Sequence, residues 1–156
     1  MSRFLVVLMC SLFAFTGKAQ EKTSVECNPD FILGSWYAVP DTSGGLVEAA
    51  TMAFEFGTDS CCTIIYNGKR MECNTDTRKI KYSLNCATNP MQLDVEVFDI
   101  STYNITLKSA IRFIFEITDA DHIKTATTNH NFGKRPQSFA SGEDINIKTF
   151  IRRKTI

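Results

Sequence analysis

Strict alternation of apolar and polar residues is the feature that most limits how this chain folds. The pattern is clearest at 91–97, MQLDVEV, where every second residue is apolar. It recurs in further segments at 50–56, 79–84, 111–117 and 145–152. Successive side chains of a β-strand point to opposite faces, so period two predicts strands with one buried face. Helical periodicity extends no further than one turn at 46–50, and the sequence therefore predicts an all-β chain of antiparallel strands.

Two turns predict the register of this sheet. Asn67-Gly68 stands between two apolar stretches, and this dipeptide favours a two-residue hairpin because both residues must adopt positive φ. Pairing outward from this turn places Ile64 opposite Met71. The next loop, 74–77, is expected to place Met71 opposite Ile80. Both turns therefore put the apolar residues on one face of the sheet.

The number and spacing of the strands predict a closed sheet. A run of about nine short strands from Trp36 to Arg153 has the spacing of a sandwich or a barrel. Sequential hairpins leave two exposed sheet edges, and closure into a barrel removes them. We therefore predict one domain at 20–156, an antiparallel up-and-down β-barrel of about eight to nine strands. Such a barrel is either packed by side chains or holds one small ligand.

The first nineteen residues have the pattern of a secretory signal peptide. Arg3 supplies a positive start, residues 4–15 form an uninterrupted apolar run, and small residues precede a cleavage site at Gln20. The apolar run is shorter than the roughly 20 residues that span a bilayer. We therefore expect residues 1–19 to be removed and the mature chain to be secreted to the extracellular space, without a membrane anchor.

The charge balance argues against two large classes of partner. Outside the first nineteen residues the chain carries fifteen basic and seventeen acidic residues. Nucleic acid requires a dense basic footprint on the protein, and acidic membranes require a polybasic patch. We therefore expect neither nucleic acid nor a membrane as a partner.

Five cysteines follow the apolar leader, at positions 27, 61, 62, 73 and 86. In a secreted chain they predict disulfide bonds, with one cysteine left over. The hairpin register places Cys62 opposite Cys73 on the inward face, at a separation that suits a disulfide. Cys61 then points outward and pairs with Cys27, which leaves Cys86 unpaired. The main alternative exchanges Cys86 and Cys61 in this scheme.

The stretch ILGSWYAV at 32–39 holds the only tryptophan of the chain, after a Gly-Ser pair and at the head of an apolar run. This G-x-W motif in a secreted all-β chain resembles the signature of the lipocalins. The resemblance implies an eight-stranded barrel in which Trp36 plugs one end and an arginine near the last strand packs over the indole. Cation–π attraction favours that arrangement, and the candidates are Arg152 and Arg153, with Arg135 behind them.

The order of several shorter motifs is similar to a short lipocalin-like domain of planctomycete and related bacteria. That family spaces G-T-W, P-x-x-x-D, a strand, R-P-x-x-F and a terminal arginine. The residues of this chain at those positions are Trp36, Pro90, Asp94, Arg135, Pro136, Phe139 and Arg152 or Arg153. This resemblance concerns the fold and implies no function. The chain departs from vertebrate-type lipocalins because it lacks a clear T-D-Y motif.

Inward aromatic side chains are the candidates for lining a ligand pocket. They are Phe54, Phe56, Tyr82, Phe113 and Phe115. Side chains of this size equally well fill a narrow barrel and leave no cavity. The glycine-rich stretch at 40–49 is either a mobile lid over the open mouth, as in lipocalins, or a solvated loop.

The expected function is that of a secreted lipocalin-like protein that binds a small hydrophobic ligand in the barrel interior. The alternative is a structural or interaction protein of extracellular matrix, mucus or venom, which acts through its outer surface without a ligand. Asn104 begins an N-glycosylation sequon and is a predicted glycan site in a eukaryotic source.

Catalytic and metal-binding motifs are not found in the sequence. G-x-S-x-G, H-E-x-x-H, CxxC and paired-carboxylate spacings do not occur, and His122 and His130 stand outside any nucleophile motif. The segment 119–122 reads most simply as a polar turn. We therefore expect neither enzyme activity nor a cofactor or metal site.

Overall fold

The computed structural model describes residues 27–39, 52–128, 133–140, 142 and 144–153. A short 3-10 turn, Pro29–Ile32, precedes ten strands. The strands are β1 (Gly34–Ala38), β2 (Met52–Phe56), β3 (Cys62–Tyr66), β4 (Lys69–Met71), β5 (Asn74–Thr75), β6 (Arg78–Asn85), β7 (Met91–Ile100), β8 (Ile105–Asp119), β9 (His122–Thr128) and β10 (Ile145–Arg153). They form one antiparallel sheet in the order β4-β3-β2-β1-β10-β9-β8-β7-β6-β5. The prediction of an all-β antiparallel chain is confirmed.

The sheet curls into a barrel-like shape because its two ends are joined through the chain. Only Glu72 and Cys73 separate β4 from β5, so one bent stretch pairs first with β3 and then with β6. Close by, the amide of Tyr82 donates to the carbonyl oxygen of Ser60 at 2.9 Å. The bend also explains the strand count, which is ten where the sequence predicts eight to nine.

The register at the first turn agrees with the prediction. Asn67 and Gly68 have φ values of 50° and 74°, and Ile64 lies opposite Met71. The register at the next turn differs from the prediction by two residues. Thr75 lies opposite Arg78, and the amide of Ile80 donates to the carbonyl oxygen of Cys73 at 2.7 Å. A shift of two residues preserves the face of a strand, so Ile80 still points inward and is fully buried.

The cysteines pair differently from the prediction. Disulfides join Cys27 to Cys86 and Cys61 to Cys73, with Cα atoms 5.7 and 5.5 Å apart, and Cys62 is a buried free thiol. The predicted Cys62–Cys73 and Cys27–Cys61 bonds are therefore wrong, as is an unpaired Cys86. The hairpin register is right, but the β3–β4 pairing ends before Cys73 and the chain bends there. The bend removes Cys73 from the position opposite Cys62.

Three predictions from the sequence fall on residues outside those that the structure describes. They concern the leader at 1–19 with its cleavage site before Gln20, the glycine-rich stretch at 40–49, and His130. Among the described residues, no helix is long and apolar enough to cross a membrane. Disulfides such as the two found here are common in secreted proteins.

Candidate ligand-binding cavity

One end of the barrel-like sheet is filled by side chains around Trp36. The indole is fully buried, and its Nε1 donates to the carbonyl oxygen of Ile32 at 2.7 Å. The guanidinium of Arg152 lies 4.7 Å from the centroid of the indole and 5.0 Å from that of the Phe31 ring. Its Nη2 also donates to the carbonyl oxygen of Phe31. We call these four residues, Phe31, Ile32, Trp36 and Arg152, the packed end.

The structure distinguishes among the three arginines that the lipocalin resemblance offers for the indole. Arg152 lies directly opposite Trp36 in the β1–β10 pairing, so its side chain shares the inward face. Arg153 points to the other face and lies 5.5 Å from the ring centroid of Tyr37. Arg135 forms an ion pair with Asp94 on β7 and donates to the carbonyl oxygen of Phe113 on β8. Nε of Arg152 is buried without a hydrogen-bond partner among the described residues, and the two aromatic rings contribute cation–π attraction to the guanidinium.

A layer of phenylalanine rings lies next to the packed end. The centroid of the Phe54 ring is 5.7 Å from that of Phe56, 5.8 Å from that of Phe113 and 5.6 Å from that of Phe150. The void left between these rings and Trp36 is only about 10 Å³. That space holds at most one water molecule, so this part of the interior is closed to a ligand.

Beyond the phenylalanine layer the interior opens into a cavity of about 700 Å³. Its apolar lining residues are Met52, Ile64, Met71, Val97, Ile111, Phe113 and Phe150. They come from six different strands, and alternation places each of them on the inward face. We call the part of the barrel-like sheet around this cavity the open end.

The remaining lining residues of the cavity are polar or basic. They are Tyr66, Arg78, Lys108, Ser109, Thr125, Thr127, Thr128, Asn146 and Lys148. Two of the hydroxyls already donate to the main chain: Thr125 Oγ1 to the carbonyl oxygen of Lys148, and Thr127 Oγ1 to that of Arg112, each at 3.2 Å. No carboxylate belongs to the described residues that line the cavity, so the charged groups there are all positive.

Most of the aromatic residues predicted to line a pocket fill space instead. Phe113 alone among the five borders the 700 Å³ cavity. Phe54 and Phe56 belong to the phenylalanine layer, and Phe115 is fully buried and borders a shallow surface hollow. Tyr82 packs edge-on against Phe56 at 4.9 Å, and its hydroxyl donates to the carbonyl oxygen of Gly57 at 2.8 Å.

Apart from Phe113, the residues that line the cavity are not predicted from the sequence, although the period-two pattern places several of them on the inward face. Met52 precedes Phe54 by two residues on β2, and Ile111 precedes Phe113 by two on β8, so both point inward. Period two reports the face of a residue but not its height along the axis of the sheet. The position of a residue along this axis can be assigned only when the pairing of all strands is known.

Residues of the R-P-x-x-F and P-x-x-x-D motifs meet on the outer face of the sheet. Arg135 Nη2 lies 2.6 Å from Asp94 Oδ1, and its Nη1 donates to the carbonyl oxygen of Phe113 at 2.6 Å. Asp94 Oδ2 also accepts from Arg112 Nη1 at 2.7 Å. The half-buried Arg135 therefore fastens the segment 133–140 to β7 and β8, and it takes no part in the cavity.

The other motif residues lie beside this ion pair. Pro90 and Phe139 border the same surface hollow, and Pro136 is buried. Lys124 Nζ lies 5.0 Å from the centroid of the Phe139 ring, within the range of cation–π attraction. These contacts give the motifs a structural role in holding a segment against the sheet.

The remaining candidate residues lie at exposed turns. His122 Nδ1 is 2.8 Å from Asp119 Oδ1, and this hydrogen bond holds the pKa of the Asp119 carboxyl below its usual value. Both residues are exposed at the β8–β9 turn, away from the cavity. Asn104 is exposed at the β7–β8 turn, where its carbonyl oxygen accepts from the amide of Ser101 at 2.9 Å. Among the described residues, no group of three His, Cys, Asp or Glu residues stands close enough to hold a metal ion.

Comparison of the chain with protein-family models, with curated proteins and with solved structures gives no match. The likeness to lipocalins therefore stays a resemblance carried by the motifs of this chain. The cavity and the charges around it are the basis for assigning a function.

Proposed function

We propose that this chain is a secreted lipocalin-like protein that holds a small, largely apolar molecule at the open end. The observation that carries the proposal is the cavity of about 700 Å³. Pockets for small ligands typically enclose roughly 300–1,000 Å³. A sheet filled with side chains along its whole length would favour the alternative, a protein that acts only through its outer surface.

The packed end supports the same proposal. In a lipocalin-like barrel one end is closed by tryptophan and arginine, and Trp36 and Arg152 stack in that way here. Closure at this end leaves the open end for ligand entry, and Phe113 and Phe150 give the cavity an apolar floor. The two disulfides suit an oxidising, extracellular environment, which is the one that the predicted signal peptide implies.

The expected affinity is moderate. Drug-sized ligands reach about 0.3 kcal/mol per non-hydrogen atom, so a ligand of about 20 such atoms binds with about 6 kcal/mol. This free energy corresponds to a Kd of a few tens of micromolar. A ligand whose polar groups find partners at the rim of the cavity binds more tightly.

The proposal is tested with residues 20–156, oxidised, and Nile red, an uncharged dye that fluoresces in apolar surroundings. We expect saturable binding of one dye molecule per chain. The double variant Val97→Trp/Ile111→Trp narrows the cavity and should weaken binding at least tenfold. The control Tyr103→Trp/Ile105→Trp adds the same side chains at exposed positions of the same hairpin and should bind as the parent does.

Circular dichroism of each variant shows whether the fold is kept. Absence of saturable dye binding by the folded parent contradicts the proposal. Equal binding by the cavity variant and the surface control contradicts it as well, because the dye is then bound outside the cavity.

A further inference from the structure

The charged groups around the cavity give information about the ligand that the apolar lining does not. Arg78, Lys108 and Lys148 line the cavity from β6, β8 and β10, and none of the described lining residues carries a carboxylate. Asp99, which lies opposite Arg78 in the β6–β7 pairing, is outside the lining. Lys108 is already paired, since its Nζ lies 2.7 Å from Asp99 Oδ2. Arg78 and Lys148 make no ion pair with any residue that the structure describes.

The two unpaired cations stand at inward positions of their strands. Arg78 shares the face of the fully buried Ile80 on β6, and Lys148 shares the face of Phe150 on β10. Both side chains are half-buried. A cation that points into a largely apolar cavity loses part of its hydration, and without a partner this loss is uncompensated. An anion in the cavity supplies the missing partner.

Two of the five hydroxyl groups that line the cavity are already used as hydrogen-bond donors. Thr125 and Thr127 donate to main-chain carbonyl oxygens, so their protons are not free for a ligand. The deep part of the cavity, at Phe113 and Phe150, is apolar. The cavity thus has an apolar interior and two free cationic donors, which is the distribution that an amphipathic anion requires.

We propose, building on the binding function above, that the ligand has an apolar body and a single anionic head held by Arg78 and Lys148. A carboxylate, a sulfonate and a phosphate monoester share this chemistry. A guanidinium offers two parallel N–H donors that match the two oxygens of such a head, and an ammonium adds a point charge.

The test compares three probes of one chain length, each displacing Nile red from the oxidised chain 20–156. They are dodecanoate, dodecan-1-ol and dodecyltrimethylammonium. We expect dodecanoate to bind about tenfold more tightly than the alcohol at low ionic strength, and the ammonium to bind most weakly. The difference should shrink at high salt, because the head group lies at a partly solvated rim. Dodecanesulfonate and dodecyl phosphate then show which anionic head fits best.

Two variants assign the effect to the named residues. Arg78→Gln and Lys148→Gln should each lower the affinity for dodecanoate about fivefold and leave that for dodecan-1-ol unchanged. Lys79→Gln is the matched control, because it removes the same charge from the adjacent residue, which points to the opposite face. The unchanged affinity for the alcohol distinguishes loss of a head-group contact from damage to the cavity.

The outcomes separate this inference from the binding function itself. If neither Nile red nor any dodecyl probe binds, the proposed function fails. If the alcohol binds as tightly as the carboxylate, or if Lys79→Gln weakens dodecanoate as much as Arg78→Gln does, the cavity binds ligands without an anionic head-group site.

Discussion

The packed end and the open end are built from the same alternating strands, yet side chains fill the interior at the packed end, whereas the open end encloses a cavity. At the packed end, Trp36 and the phenylalanine layer leave a void of about 10 Å³. At the open end, a cavity of about 700 Å³ lies between strands with the same pairing and spacing. The backbone is continuous through both regions, so side-chain size makes the difference.

A size gradient along the inward positions of individual strands produces this contrast. On β2 the inward residues run from Met52 at the open end to Phe54 and Phe56 in the phenylalanine layer next to the packed end. On β8 they run Ser109, Ile111, Phe113 and Phe115, and on β10 they run Asn146, Lys148, Phe150 and Arg152. Smaller or polar residues therefore meet at one height and aromatic residues at another. The comparison teaches that a cavity can be specified by the order of residue sizes along strands that share one pattern.

The largest expected effect is at the packed end. Replacing Trp36 by Ala removes a fully buried indole and leaves a void, so the free energy of unfolding should fall by roughly 3 to 5 kcal/mol. Chemical denaturation of the oxidised chain measures this. Tyr37→Ala is the control, since Tyr37 is the next residue, points to the other face and is half-buried. A loss for Trp36→Ala that is no larger than for Tyr37→Ala means that the indole does not close this end.

The second prediction compares one substitution at the two ends. Ile123 is 2% exposed and lies beside the phenylalanine layer. Replacing Ile123 by Ala should lower the free energy of unfolding by about 2 to 4 kcal/mol. Ile111 faces an existing cavity, so Ile111→Ala creates no new void and should cost about 1 kcal/mol. Equal losses in a denaturation experiment would contradict the presence of a cavity at the open end.

The fold was predictable where a local rule decides it. The alternation gives the correct inward face of β2, β6, β7 and β8, and the Asn67-Gly68 turn gives its own register because both residues require positive φ. On β10 the alternation predicts the wrong face, because Ile145, Ile147 and Ile151 lie on the outer face while Phe150 and Arg152 point inward. The turn after Thr75 holds no such dipeptide, and there the predicted register is two residues out. The disulfides failed for a related reason, because nothing local to Cys73 shows that the strand bends there.

The position of the cavity could not be predicted from the sequence. Aromatic residues are the most visible inward residues in the sequence, and the sequence therefore predicts them as pocket lining. In the folded sheet Phe54 and Phe56 fill the interior next to Trp36, while Met52, Ile64 and Ile111 border the cavity. The distinction depends on height along the sheet axis, which is set by the sum of many strand registers.

The third prediction concerns the cation at the packed end. Arg152→Met keeps the apolar stem but removes the guanidinium that contacts Trp36 and Phe31, and we expect a loss of about 1 to 2 kcal/mol. Arg153→Met is the matched control on the outer face, with an expected change within about 0.5 kcal/mol. If both variants unfold at the same denaturant concentration, the cation–π contacts add nothing to the packed end.

The last prediction is that the Cys62 thiol does not react in the folded chain, and it tests how far the closely packed interior extends. Cys62 lies opposite Phe56 and is fully buried, and its burial, assisted by the nearby Glu55 carboxylate, raises the pKa of the thiol far above its usual value. Because the thiolate is the reactive form, the thiol should resist iodoacetamide at pH 8 in the folded chain.

In a denaturant the same chain should react at one thiol, which peptide mapping assigns to Cys62, with Cys61–Cys73 and Cys27–Cys86 intact. Rapid labelling of Cys62 without denaturant means that solvent reaches past the phenylalanine layer. In that case the interior around Phe56 is accessible to solvent, and the close packing is limited to the residues around Trp36.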